Sequence, residues 1–160
     1  MATLVKVKRR TLYPQVDPTN LLNNQSGRTI LITGGGTGIG LAIAKAFVTA
    51  SAARVIIIGR RANVLESASE ELKAIEGTTE ILSRSCDITD AESLKKMWRW
   101  VKDVDSNVDT LILNAVLSSR STSISDETEK VWGFFETNVL ANMRLTEAFL
   151  AQGAETGNVF

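Results

Sequence analysis

Seven consecutive positions, Gly34 to Gly40, hold five of the chain's 11 glycines. They lie between an apolar run, Thr29 to Thr33, and a segment with Leu41, Ala44, Phe47 and Val48 at helical spacing. Such clustering exceeds what turn chemistry alone requires. A strand that passes through glycines into a helix presents unpaired backbone N–H groups and the positive end of the helix dipole, which together favour a phosphate. Spacing separates the known phosphate loops. Gly40 is followed by Leu41, so the Gly-Lys-Ser/Thr ending of a Walker A loop is missing. A GxGxxG fingerprint fails in every register, because its third position would be Ile39, Leu41 or Ile43. What stands is TGxxxGIG, Thr33 to Gly40; the alternative is a tight strand-to-helix turn that binds nothing.

Beyond the loop, strands and amphipathic helices alternate. Arg54 to Ile58 is β-branched and apolar at its centre, as a strand covered on both faces is. Val64, Leu65, Ala68, Leu72 and Ile75 mark a helix face ending near Gly77, and Glu80 to Cys86 reads as a third strand. Thr89-Asp90-Ala91-Glu92 is a capping box ahead of Leu94, Met97, Trp98 and Val101, and Asp109 to Leu113 is a fourth strand. A long helix is expected from Asp126, its N-cap, to Ala151. This order predicts an α/β fold, a doubly wound parallel sheet with helices on both faces. Residues 1–28 hold both prolines, the basic run Lys6, Lys8, Arg9 and Arg10 and a polar stretch, and read as an N-terminal arm, extended or partly disordered.

Composition narrows the function classes. Lys+Arg and Asp+Glu number 18 each, without the basic excess that binding nucleic acid or an anionic membrane needs. The chain has no His, which excludes His-based triads and His-ligated zinc or iron within it. Cys86 is alone, so no intrachain disulfide or Cys-rich metal site forms, and no metal is expected. The arm lacks an apolar signal region, and the apolar runs are too short to cross a membrane; cytoplasmic localisation is the default.

With TGxxxGIG directly after the first strand, residues 29–160 resemble the short-chain dehydrogenase/reductase family of classical type. The resemblance implies a Rossmann-like sheet, incomplete here at about four to five strands, and an NAD(P)-binding domain over 29–160. It implies cofactor contacts from Thr33, Gly34, Gly36, Thr37, Gly38, Ile39 and Gly40. An acid would be expected after the second strand in an NAD site, but Arg60 and Arg61 stand there, and arginines pair with a 2′-phosphate, which favours NADP over NAD. The alternative is that they merely start a surface helix. Asp87 matches the family aspartate that hydrogen-bonds adenine; as a bare residue it is equally a loop Asp beside Thr89. Asn114 and Ala115 match the family's Asn-Asn-Ala-Gly after the fourth strand, whereas Leu113 and Val116 depart from it. Asn138 matches the asparagine of the catalytic tetrad, which holds a water in the proton relay.

The family's Ser and Tyr-x-x-x-Lys are not among the 160 residues, and the one tyrosine, Tyr13, lies in the arm with no lysine four residues on. The resemblance therefore implies the cofactor half of an oxidoreductase that transfers hydride between NADP(H) and a carbonyl or alcohol, truncated and inactive alone. Gly157 to Phe160 reads as the opening of a fifth strand. An open fourth-strand edge and the apolar residues of 126–151 suggest self-association, and the substrate is a small molecule of unread identity. Two further readings stay open: a non-catalytic interaction module, and a truncated gene product without selected function.

Overall fold

The computed structural model describes residues 12–104, 107–118, 127–152 and 158–159. Its centre is β1 (Thr29–Thr33), of which every residue is buried. β2 (Arg54–Gly59) and β3 (Glu80–Ser85) lie to one side, β4 (Thr110–Ile112) and β5 (Asn158–Val159) to the other. All pairings are parallel and the order is β3-β2-β1-β4-β5. Parallel neighbours need crossover helices, and these supply the two outer layers. α1 (Gly38–Thr49) and α2 (Ala62–Lys73) cover one face; α3 (Ala91–Asp103) and α5 (Ala141–Leu150) cover the other.

Strand alternation divides the core. Ile30 and Ile32 face the α1/α2 layer with Val55 and Ile57, whereas Leu31 faces the α3/α5 layer with Ile56 and Ile58. These side chains are fully buried, which is why β1 and β2 show no polar position between Ile30 and Ile32 or between Val55 and Ile58. The chain leaves β1 toward β2 and β3, then returns to the opposite side of β1 for β4. That reversal opens a crevice at the carboxyl ends of β1 and β4.

Several expectations are corrected at the level of single turns. Helix α3 is capped by Asp90, whose Oδ1 accepts from the Glu92 N–H at 2.9 Å. Thr89, the expected cap, instead donates its hydroxyl to Asp87 Oδ1. The long C-terminal helix is three segments: α4 (Thr128–Phe135), a π-helical turn (Glu136–Leu140) and α5. In that turn the Ala141 N–H reaches back five residues to Glu136 O, so one extra residue is accommodated without ending the helix. The expected cap Asp126 lies outside the described residues.

The fourth strand is not an open edge: Thr110 pairs with Asn158 and Leu111 with Val159, and β5 forms the outer strand. In the arm, residues 12–28 fold into two 3-10 turns, Pro14–Val16 and Leu21–Asn23, in place of a plain extended run. Asn23 Nδ2 donates to Gln15 O and Asp17 O, and the Gln25 N–H to Ala50 O ties the arm to the end of α1. The basic run at 6–10 lies outside the described residues. Among the described residues, no helix is long and apolar enough to cross a membrane, and no cluster of three acidic or cysteine side chains could hold a metal.

Candidate functional site

A cleft of about 410 Å³ opens above the carboxyl ends of β1 to β4. Its first wall is the loop from Gly34 to Gly40. The chain turns there through left-handed backbone at Gly34 (φ +66°) and Gly38 (φ +55°), conformations that a side chain makes costly. Thr37 takes the N-cap position of α1 without a side-chain hydrogen bond, so the first N–H groups of the helix have no capping partner from it. Gly40 is required for closeness. A Cβ on it would run into the Gly34 carbonyl and lie 2.6 Å from Asn114 Nδ2. Gly35 faces inward instead, where a Cβ would meet Ile57 at 2.6 Å.

The loop is fastened from β4. Asn114 Nδ2 donates to Thr33 O at 2.9 Å and Gly34 O at 3.3 Å. Thr33 Oγ1 accepts from the N–H groups of Asn114 and Ala115, at 2.9 Å each, and donates to Ile112 O at 3.3 Å. Thr33 is wholly buried beneath the cleft and outside its lining. It binds the two strands across the crevice, and this network fixes the spacing between the glycine loop and Asn114.

The second wall carries charge. Arg60 and Arg61 follow β2, both exposed and both lining the cleft, and neither makes an ion pair among the described residues. Just past the end of the neighbouring strand β3, Asp87 Oδ1 accepts from the Thr89 N–H at 3.0 Å and Thr89 Oγ1 at 2.7 Å. Partial burial pushes the Asp87 carboxyl up, but these two hydrogen bonds and the charge of Arg60 outweigh it and hold it below the ordinary carboxylate range. Asp87 is thus an anion with one oxygen committed to its own turn. Beside it, Cys86 is buried in the core beneath the cleft, and that burial pushes its thiol up, against a hydrogen bond from Ser93 Oγ at 3.6 Å.

Asn138 sits in the π-helical turn and clasps the segment after β4. Its Oδ1 accepts from the Leu117 N–H at 2.9 Å and its Nδ2 donates to Leu117 O at 2.8 Å. Its carbonyl accepts from Asn142 Nδ2 at 2.9 Å. Val116, at the family's glycine position, is 69% exposed and lines the cleft.

Residues 28–159 match the family model of short chain dehydrogenases. The chain belongs to that family. Among curated relatives, a short chain dehydrogenase/reductase of Aspergillus novofumigatus is 30% identical over 146 residues, which are 91% of this chain and 49% of that protein. Among solved structures, a short-chain dehydrogenase/reductase from Mycobacterium ulcerans superposes with a TM-score of 0.77 at 26% identity, covering 85% of this chain and 50% of that one. A metagenomic short-chain oxidoreductase in complex with NADP superposes at 0.76 with 25% identity, covering 84% of this chain and 60% of that one. The chain spans about half the length of the curated relatives it matches.

Of the residues expected from the short-chain dehydrogenase pattern, Gly34, Gly36, Thr37, Gly38, Ile39 and Gly40 line one wall of the cleft. Arg60, Arg61, Asp87, Asn114 and Ala115 line the others. Thr33 and Asn138 lie behind that surface and act on it through hydrogen bonds. Sequence reasoning missed Gly59, Ile88, Thr89 and Leu117, which also face the cleft. The signal for them was positional: Gly59 ends β2 and the others follow the carboxyl ends of β3 and β4, where ligands of doubly wound sheets bind.

Proposed function

We propose that this chain is the NADP(H)-binding half of an oxidoreductase that moves hydride between the nicotinamide and a small carbonyl or alcohol substrate. The observation that carries this reading is the cradle between Gly34 and Gly40. Its backbone comes close enough to Asn114 that no side chain fits at Gly40, and it presents the uncapped N-terminus of α1. A pyrophosphate fits such a surface, because N–H donors and helix dipole coincide there. Arg60 and Arg61 would take the 2′-phosphate by bidentate hydrogen bonds, which supports NADP over NAD. The free oxygen of Asp87 would accept from the adenine amino group. Bound, the cofactor supplies the hydride chemistry.

Thr33 and Asn114 hold the loop at its working distance, and Asn138 fixes Leu117, and so the floor where the nicotinamide ribose would lie. Val116 places two methyl groups at that floor, which weakens binding at the nicotinamide end. In the family a Tyr-x-x-x-Lys pair moves the proton, and none of these 160 residues can take that role, since Tyr13 sits in the arm. The 160 residues are therefore expected to bind the cofactor without oxidising it. Cytoplasmic residence goes with this reading.

Thermal unfolding with NADP tests the binding clause. At about a hundredfold excess over Kd, the ligand adds about 2.7 kcal/mol, a shift of several degrees. A melting temperature unmoved by millimolar NADP contradicts the reading, and steady NADPH oxidation by these residues with a carbonyl substrate contradicts the inactivity clause.

One observation favours a second, compatible role in assembly. Trp132, Phe135 and Met143 are 58%, 55% and 64% exposed along α4 and α5, large apolar side chains left uncovered on one stretch of helix. Self-association through residues 126–151 predicts a dimer in light scattering; a monodisperse monomer at tens of micromolar rejects it.

A further inference from the structure

A second cavity, of about 550 Å³, runs between α3 and α5 and shares no lining residue with the cofactor cleft. Its volume is that of a small-molecule site. Leu94, Trp98 and Ala148 give it an apolar lining. Lys95, Arg99 and Lys102 are spaced four and three residues apart on α3, so they share one face, and Arg144 joins them from α5.

Charge is uncompensated along this groove. Lys95 pairs with Glu92 at 2.7 Å. Arg99, Lys102 and Arg144 have no ion pair among the described residues, although Arg99 Nε reaches Lys95 O at 3.4 Å and Arg144 Nη1 reaches Thr89 O at 3.5 Å. Four cations thus line the groove with one acid, Glu147, and the charge of Glu92 at its edge acts on Lys95 and Arg99.

We propose that this groove is a second ligand site, for a flat apolar molecule bearing one carboxylate, an aryl carboxylate in chemical class. The aromatic body packs along Trp98, Leu94 and Ala148. The carboxylate takes the planar fork of an arginine, for which it is the matching partner. A polyanion is excluded by the scale of the charge: four cations beside an acid do not follow a phosphate backbone.

The test is calorimetric titration of the protein with 2-naphthoate, repeated with neutral 2-naphthamide and in the presence of saturating NADP. One saturable site per chain is expected, untouched by NADP. Loss of the charged side chains from either helix is expected to weaken it about tenfold or more, in Arg144→Ala on α5 and in the double variant Arg99→Ala/Lys102→Ala on α3. The amide is expected to bind at least as weakly as naphthoate does to those variants. Arg99 and Lys102 are exposed, so their removal leaves the fold intact, and the melting temperature checks it. No saturable heat, equal affinity in wild type and variants, or competition with NADP overturns the proposal. So does binding of an acidic peptide where naphthoate fails, which would make the groove a protein-docking surface.

Discussion

The two sides of the sheet are built to different degrees of closure. On the β2/β3 side, β2 is apolar and buried from Val55 to Ile58, and α1 and α2 seal its outer face through Ala44, Val48, Leu65 and Leu72. On the β4/β5 side, the strands described are three and two residues long, and α4 carries its large apolar side chains outward. The first side has its inner strand sealed on both faces, whereas the second offers apolar surface. In the proposed reading this division follows the ligand: the closed side holds adenosine and phosphates, which need a fixed backbone, and the open side faces the nicotinamide end and any partner.

The comparison breaks first in the core. Ile57→Ala removes a fully buried side chain that packs against Gly35 and should cost about 2–5 kcal/mol in denaturant unfolding. A loss below about 1 kcal/mol would show that the β2 side is not the rigid half. Next, Gly40→Ala drives a Cβ into Gly34 and Asn114, with an expected cost of about 1–3 kcal/mol. That variant should also lose its thermal response to NADP.

Asp87 gives a smaller, pH-dependent effect with a definite sign. Its folded-state carboxyl titrates below the ordinary value, so it stabilises the fold above about pH 4 and the contribution is lost as pH falls through the folded value. Melting curves of wild type and Asp87→Asn should differ at pH 7 and converge in acid; a gap that widens in acid would reverse the assignment. On the open side, Trp132→Ala in a monomer should shift stability by no more than about 0.5 kcal/mol. A large, concentration-dependent loss there would mean that the face is covered by a second copy.

The closed side was also the more legible from sequence. Ile30 to Ile32 and Val55 to Ile58 are continuous apolar runs because both faces are covered, and TGxxxGIG fixed the turn between β1 and α1 to the residue. Legibility fell wherever side chains from distant positions decide the geometry. Asp90 displaced Thr89 as the α3 cap because the Thr89 hydroxyl is spent on Asp87, two residues back. The π-helical turn has no local signature; it accompanies the clasp between Asn138 and Leu117, 21 residues apart. Pairing of Thr110 with Asn158 is likewise decided far along the chain, and a fourth strand read alone looked like an edge. Within the cleft, the glycines and Arg60, Arg61 and Asp87 were readable as residue types at strand ends. The burial of Thr33 behind them was not, since its hydroxyl is held by groups about 80 positions away.

In the proposed reading the cleft binds NADP through the glycine loop and discriminates its 2′-phosphate through Arg60 and Arg61. Calorimetric titration with NADP and NAD, on wild type and on Arg60→Ala/Arg61→Ala, tests it directly. Wild type is expected to bind NADP about tenfold or more tightly than NAD, and the double variant to bind the two alike. Equal affinities in wild type, unchanged in the variant, or no binding of either dinucleotide, would contradict it.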